Sequence, residues 1–177
     1  VTDVAGADVA VPSMPGVVRR TGEGAVRAAE EALALGIPAI CIFPYTDPAL
    51  RTEDCAEAWN PDNLSNRAVR AIKAAVPEVA VMTDVALDPY NANGHDGLVR
   101  DGVILNDETI EALVRMAVAQ AEAGGDSLRP SGMMGGRLGG MARLVQRDGH
   151  VLVGSDERRV QPNGLPKAVY GLGQFAQ

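Results

Sequence analysis

Apolar runs and amphipathic stretches alternate along the first two thirds of the chain. The first amphipathic stretch predicts a helix over residues 23–35, with Thr21 as its N-cap and Gly36 at its C-terminal end. The run Ala39–Phe43 that follows is continuously apolar. Such a run is typical of a strand buried on both faces of a parallel sheet.

The same alternation continues downstream. A helix is predicted over residues 64–75, and a second apolar strand over Val79–Val85. A long polar loop then leads to a third helix, which ends at Gly124 and whose apolar stripe consists of Ile110, Leu113, Val114, Ala117 and Ala121. Strands that alternate with helices indicate a parallel sheet with right-handed crossovers. Two α/β architectures fit: a doubly wound open sheet, or about half of a (β/α)8 TIM barrel, which takes roughly 250 residues.

The pattern weakens after Asp126. A strand is due at residues 127–131, but Arg129 would place a charge in it, and closely spaced glycines then weaken any helix. We therefore divide the chain into a partial α/β barrel over residues 1–145 and an irregular tail over 146–177, which we attribute to a frameshift or to disorder. Because the chain starts at Val1 without a methionine, we also expect sequence upstream.

Composition narrows the class of protein. The net charge is -7 and the pI is near 4.8, which argues against a nucleic-acid or anionic-membrane partner. The two cysteines cannot build a disulfide framework, and no apolar run has the length of a membrane span. These features predict a cytoplasmic protein with an aliphatic core.

Candidate chemistry gathers where the predicted strands end. Asp84 is a carboxylate within an otherwise apolar strand end, so it either has a functional role or forms a local cap or loop hydrogen bond. Asp88, His95 and Asp96 share the following loop, where they could bind magnesium or transfer protons. The alternative is a turn-forming loop, in which Asn, Asp and Gly are common.

Several motifs of the chain, in this order, resemble those of the porphobilinogen synthase (δ-aminolevulinic acid dehydratase) family, in its proteobacterial form. The resemblance is nearly continuous to about residue 126. It implies an eight-stranded α/β barrel, commonly octameric, that condenses two molecules of 5-aminolevulinate into porphobilinogen for haem and chlorophyll biosynthesis. The motifs are Met14–Val17, Gly36–Ala39, Phe43-Pro44, Asn60–Asp62, Thr83–Tyr90, Gly94–Gly97 and Asn106–Thr109.

The resemblance also implies roles for individual residues. Asp84, Asp88 and Asp96 would line the active site, polarising substrate or relaying protons, and Ser131 would bind substrate. In zinc-dependent members three cysteines occupy the positions that are Ala86, Asp88 and Asp96 here. Since thiolates make such a site prefer zinc, we expect no zinc, and either magnesium or no metal.

The chain departs from the family pattern in two respects. The family motif Ala-Pro-Ser-Asp-Met-Met-Asp-Gly-Arg reads Arg-Pro-Ser-Gly-Met-Met-Gly-Gly-Arg here, so Gly132 and Gly135 replace aspartates. The family also holds its substrates as Schiff bases on two lysines, whereas this chain has only Lys73, predicted on a solvent face, and Lys167 in the tail. We therefore expect the chain alone to be inactive. The alternative is a non-catalytic, doubly wound module that binds a small molecule.

Overall fold

The computed structural model describes residues 1–3 and 6–136, together with the backbone of residues 152–153. These residues form short strands and three α-helices, joined by loops that contain single 3-10 turns. The strands are β1 (Val9–Ala10), β2 (Val18–Arg19), β3 (Ala39–Ile42), β4 (Ala80–Val85), β5 (Val99–Arg100), β6 (Val103–Ile104), β7 (Ser127–Pro130) and β8 (Leu152–Val153), and the helices are α1 (Gly22–Ala34), α2 (Leu64–Ala75) and α3 (Asn106–Glu122).

Four strands form one parallel sheet in the order β3-β4-β7-β8. The order of the strands in this sheet is also their order along the chain, so the sheet grows in one direction from β3 to β8. The remaining strands form two separate antiparallel ladders, β1-β2 and β5-β6. In addition, Thr2 forms a parallel bridge with Tyr45, just beyond the end of β3.

Helices cover one face of the sheet. Ile42 and Val81 pack into a core cluster with α1 and α2, and Val85 and Leu128 pack into a second cluster with α3. The alternate residues of the strands, including Met82 and Arg129, are only partly buried. A sheet with consecutive strand order and helices on one face is wound in a single direction, as in a barrel, whereas a doubly wound sheet has helices on both faces. The described residues therefore form a sector of an α/β barrel, and we call the face without helices the inner face.

The predicted start of α1 is confirmed. The Thr21 side chain accepts a hydrogen bond from the Gly24 backbone N–H at 3.1 Å, which caps the first turn. The apolar spacing along the first two helices predicts that Leu33, Ala71 and Ala75 face inward, and this is wrong: Leu33 is 43% exposed, and Ala71 and Ala75 are exposed. The helices pack instead through small residues such as Ala29, which allow close approach of α1 to α2.

Two expectations about the strands are also corrected. The segment Ala39–Phe43 is not buried on both faces, because Cys41 is exposed and Phe43 is 61% exposed. Among the described residues, the strand side chains on the inner face, such as Met82 and Arg129, are only partly covered. The same openness explains why β7 forms despite Arg129: this side chain lies on the inner face, while its neighbour Leu128 fills the core.

Part of the predicted tail pairs with the sheet. Leu152–Val153 form β8, parallel to β7. The other residues of the tail at 146–177, including Lys167, lie outside the described residues. Among the helices that are described, none is both long and apolar enough to cross a membrane.

Candidate active site

The candidate site lies at the carboxyl ends of β4 and β7. These strands are neighbours in the sheet, and Asp84 of β4 is in register with Arg129 of β7. Ser131 follows β7, and its side chain lies close enough to Asp84 to lower the pKa of that carboxyl group. Because polar groups at the carboxyl ends of parallel strands meet at one edge of the sheet, two residues predicted from separate parts of the sequence come into contact here.

The loop that follows β4 contributes two more carboxylates. Asp88 begins the 3-10 turn Asp88–Tyr90 directly after the strand. Asp96 lies further along, and its Oδ2 atom accepts a hydrogen bond from the Met133 backbone N–H at 3.1 Å. This contact ties the loop after β4 to the segment after β7. Asp84, Asp88 and Asp96 are close enough together for the first and the last to raise the pKa of Asp88.

Burial and mutual repulsion alter the acidity of this cluster. Burial is the main cause that raises the pKa of Asp84, and the Asp96 carboxylate raises it further, while the Ser131 hydrogen bond opposes both effects. The pKa of Asp88 is also raised, first by partial burial and then by the charges of Asp96 and Asp84. Raised carboxyl pKa values allow these groups to hold a proton at higher pH than an exposed aspartate does.

Gln120 holds the backbone of Asp84 from the helix side of the sheet, and the sequence alone did not identify it. It lies on α3, its side chain is 1% exposed, and its Nε2 atom donates to the Asp84 backbone carbonyl at 2.9 Å. Its Oε1 atom accepts a hydrogen bond from the Thr83 hydroxyl, also at 2.9 Å. The sequence signal for a buried polar contact was the side-chain amide of Gln120 on the apolar stripe of α3, three residues after Ala117. The two hydrogen bonds fix the helix to the strand at the level of the site.

A network of backbone bonds holds the loop after β4. The Thr52 N–H donates to the Tyr90 carbonyl, and the Ala92 N–H donates to the Thr52 carbonyl, each at 3.1 Å. The Tyr90 side chain is fully buried beneath the site, and among the described residues its hydroxyl has no hydrogen-bond partner. Burial raises the pKa of Tyr90, with further contributions from nearby carboxylates that include Asp84 and Asp88.

His95 serves the turn of this loop. Its Nδ1 atom accepts a hydrogen bond from the Gly97 backbone N–H at 2.8 Å. This contact is within two residues and leaves Nδ1 occupied by the backbone. This contact fits the turn-forming alternative for the loop.

Lys73 lies at the opposite end of the sheet, and its predicted place on a solvent face is wrong. Its side chain is only 22% exposed and forms an ion pair with Asp126 at 2.9 Å. Its Nζ atom also donates to the carbonyls of Pro77 at 3.0 Å and Val79 at 3.2 Å. The ammonium group is therefore paired and hydrogen-bonded near the amino end of β4, away from the carboxylates.

The two glycines that replace family aspartates leave space. A Cβ atom at Gly132 would lie 3.7 Å from the Asp96 Oδ2 atom, an ordinary contact distance, and one at Gly135 would meet nothing within 4 Å. Neither position needs a left-handed backbone. Side chains therefore fit at both positions, and the loss of the carboxylates is not imposed by packing.

The donors present do not match a zinc site. Ala86 is buried and carries no donor atom, while Asp88 and Asp96 supply oxygens instead of thiolates. Cys55 is buried in the core, and burial raises the pKa of its thiol to about 12. Among the described residues, no three His, Cys, Asp or Glu side chains are close enough together to hold a metal ion. Carboxylate oxygens of this kind suit magnesium better than zinc.

Known proteins share both the sequence and the fold. The sequence profile described as delta-aminolevulinic acid dehydratase matches residues 1–154, which extends beyond Asp126. The delta-aminolevulinic acid dehydratase of Rhodobacter capsulatus is 61% identical over 150 residues, which are 85% of this chain and 45% of that protein. The enzyme of the same name from Bradyrhizobium diazoefficiens is 55% identical over 139 residues, covering 78% and 39% of the two chains.

A solved structure leads to the same family. The crystal structure of delta-aminolevulinic acid dehydratase (porphobilinogen synthase) from Toxoplasma gondii, in complex with the reaction product porphobilinogen, superposes with a TM-score of 0.83 at 38% identity. The overlap covers 86% of this chain and 44% of that one, so the chain spans under half the length of these relatives. With its singly wound barrel sector and its aspartate-bearing strand ends, the chain belongs to the delta-aminolevulinic acid dehydratase family.

Proposed function

We propose that this chain supplies the carboxylate-bearing part of an active site that condenses two molecules of 5-aminolevulinate into porphobilinogen. The enzyme would be a dehydratase (a lyase) of tetrapyrrole biosynthesis, the route to haem and chlorophyll. The observation that carries the proposal is the convergence of Asp84, Ser131 and Asp96 at adjacent strand ends, in a chain whose family membership is established.

The carboxylates have properties that suit this reaction. The condensation releases water, so it needs groups that deliver protons to departing oxygens and remove them elsewhere. Asp84 and Asp88 hold protons to higher pH than ordinary aspartates and would serve as proton donors. The Ser131 hydroxyl is exposed and adjacent to Asp84, so it can hydrogen-bond substrate from the same edge of the sheet.

The 177-residue chain by itself would be inactive. Schiff-base formation needs an amine that is uncharged and free to attack a carbonyl carbon, and Lys73 is held as an ion pair with Asp126. Lys73 is also remote from the carboxylates along the strand, at the amino end of the sheet. The family uses two reactive lysines, and the other lysine of this chain, Lys167, lies outside the described residues, so at least one reactive lysine would have to come from a longer protein.

The metal requirement follows from the donor set. We propose that the enzyme uses no zinc and works either with magnesium or without a metal. Magnesium keeps several of its water ligands and needs only one or two carboxylates, which this cluster offers, whereas zinc at this position depends on thiolates. The relaxation of water protons during a manganese(II) titration, with Asp96→Asn as the comparison, tests whether a divalent ion binds here. No change with wild-type chain would favour the metal-free form.

The remaining partners follow from the family and the charge. The full-length protein would assemble as a homo-octamer in the cytoplasm, and an acidic chain of net charge -7 has no evident affinity for nucleic acid or for anionic membrane. The alternative, a doubly wound binding module, is not favoured, because the helices of the described residues cover only one face of the sheet.

The proposal is tested by separating binding from catalysis. Ligand-observed NMR with the 177-residue chain should detect binding of 5-aminolevulinate, and Asp84→Asn should change that binding. Colorimetric detection of the pyrrole product should show no porphobilinogen. Borohydride reduction in the presence of 5-aminolevulinate should leave Lys73 unmodified by mass spectrometry, with Lys73→Arg as the matched control. Absence of any binding would contradict the proposed site, and an adduct on Lys73 would contradict the assignment of this lysine.

A further inference from the structure

Arg129 places a positive charge on the inner face of the sheet, at the level of the aspartates. The strand alternates, so that Leu128 enters the core on the helix side and Arg129 lies on the other side. Its register partner on β4 is Asp84, whose side chain is on the same face. The guanidinium also lies close enough to Cys41, two strands away, to lower the pKa of that thiol against the larger effect of burial.

Within the part of the chain that is described, Arg129 forms no ion pair and no hydrogen bond. The nearest candidates for a partner are already engaged. The Asp84 carboxylate lies beside the Ser131 side chain, and Asp96 accepts a hydrogen bond from the Met133 N–H. Arg129 is not among the charges that shift the pKa of Asp84. Its five N–H donors are therefore available for an anion that these residues do not supply.

A guanidinium on this face needs a counter-charge. The inner face is the side that a barrel encloses, and an unpaired charge in an enclosed interior is costly. Arginine binds carboxylates in a bidentate geometry, with two parallel hydrogen bonds. Both 5-aminolevulinate and its condensation product carry carboxylates. In this chain, Gly132 and Gly135 stand shortly after Arg129 at two positions where the family pattern has aspartate. Strand β7 thus offers a ligand a cation, and the segment after it lacks two anions.

We propose that Arg129 binds the carboxylate of a 5-aminolevulinate molecule at the inner face, beside Asp84 and Ser131. The inference rests on the proposed function and adds a positioning role for a residue that the family pattern has as alanine. The carboxylate would bind at the guanidinium, and the rest of the substrate would extend towards the aspartates at the carboxyl ends of the strands.

The test compares 5-aminolevulinate with its methyl ester, which keeps the amine and ketone but lacks the negative charge. Affinities are measured by ligand-observed NMR on the 177-residue chain and on Arg129→Gln. In the wild-type chain the acid should bind about tenfold more tightly than the ester, as expected of a charge-assisted contact. In Arg129→Gln this ratio should fall to about one. Arg27→Gln, an exposed arginine on α1, removes the same charge from the helix side and should leave the ratio unchanged.

Two further measurements keep the result interpretable. Arg129→Lys retains the charge but not the planar fork, so it should keep only part of the preference for the acid, and it serves if the glutamine variant fails to fold by circular dichroism. A preference that persists in Arg129→Gln would overturn the inference and leave the proposed function intact. If Arg129→Gln keeps the preference for the acid and is also less stable than the wild-type chain, Arg129 would be paired with a carboxylate of the protein instead of the substrate. Failure of the wild-type chain to bind either compound would overturn the proposed site itself.

Discussion

The two faces of the parallel sheet are made by the same strands and differ in every other respect. On the helix side, Val81, Thr83 and Val85 of β4 are fully buried, and Leu128 of β7 joins them. On the inner side, Met82, Asp84 and Arg129 are partly exposed, and the last two are charged. Because successive side chains of a strand point to opposite faces, the helix-side residues contribute to the core and the inner-side residues are available to the site.

This division explains how a strand tolerates charged residues at its centre. The backbone hydrogen bonds and the helix-side contacts of β7 do not depend on the residue at position 129, so Arg129 is accepted there. The inner face is free to vary in charge, while the helix side is constrained by volume. Substitutions on the two faces should therefore have different consequences.

The largest expected effect comes from the helix side. Leu128→Ala should lower the free energy of unfolding by about 2–5 kcal/mol, because it leaves a cavity between β7 and α3. Met82→Ala on the inner face should cost less than about 1 kcal/mol, since that side chain is partly exposed. Urea denaturation followed by circular dichroism measures both. Equal losses for the two variants would remove the distinction between the faces.

Gln120 joins the faces, because it is buried on the helix side and yet fixes the backbone of Asp84. Gln120→Met keeps the volume but leaves the Asp84 carbonyl and the Thr83 hydroxyl without their partner, at a cost of about 1–3 kcal/mol. Urea denaturation should show this loss.

In Thr83→Val/Gln120→Met the orphaned hydroxyl is also removed, so part of the stability should return. A double variant less stable than Gln120→Met would indicate that Thr83 has another role. The affinity for 5-aminolevulinate should fall in Gln120→Met, even though Gln120 itself does not reach the inner face.

Tyr90 lies in the core on the helix side of the sheet and tests whether a polar group there reduces stability. Its buried hydroxyl has no hydrogen-bond partner among the described residues, so Tyr90→Phe should raise the free energy of unfolding by up to about 1 kcal/mol. The same urea experiment detects the change, with Tyr45→Phe at an exposed ring as the control. A loss of stability in Tyr90→Phe would show that the hydroxyl has a partner, such as an ordered water.

The smallest expected effect concerns Asp84 and pH. Its pKa is raised on folding, so the folded state binds the proton more tightly than the unfolded state does. Stability is therefore lost as pH rises from the unfolded pKa through the raised folded pKa, and the loss persists above it. Asp84→Asn should be more stable than wild type above this window, by less than about 1 kcal/mol, and the advantage should vanish below it. Denaturation at several pH values measures the difference; an advantage that is greatest at low pH would contradict the sign.

Much of the fold was predictable because it depends on local periodicity. The helix start at Thr21, the strand over residues 79–85 and the stop at Gly124 follow from capping, from an apolar run and from a left-handed glycine. The wrong expectation concerned Cys41 and Phe43, for which an apolar run suggested burial on both faces. A run of apolar residues does not reveal which face is covered, because that depends on strands distant in sequence.

The site was predictable to a lesser degree. Asp84, Asp88 and Asp96 were identified through their position after a strand and through the family resemblance, and the structure brings them to one region. Gln120 and the true surroundings of Lys73 were not found, because both depend on contacts between segments at least 36 residues apart. A single polar residue on an apolar stripe gave a signal for Gln120. No comparable signal existed for the pairing of Lys73 with Asp126.

The strand order has a consequence for how the chain is made. Each strand of the parallel sheet pairs with the one that precedes it, so a nascent chain can add every helix and strand to an existing layer as it leaves the ribosome. When β4, β7 or β8 is synthesised, the strand with which it pairs on one side has already been made. Among the described strands, the growing edge of this sheet is always the strand synthesised last, and that edge advances with translation.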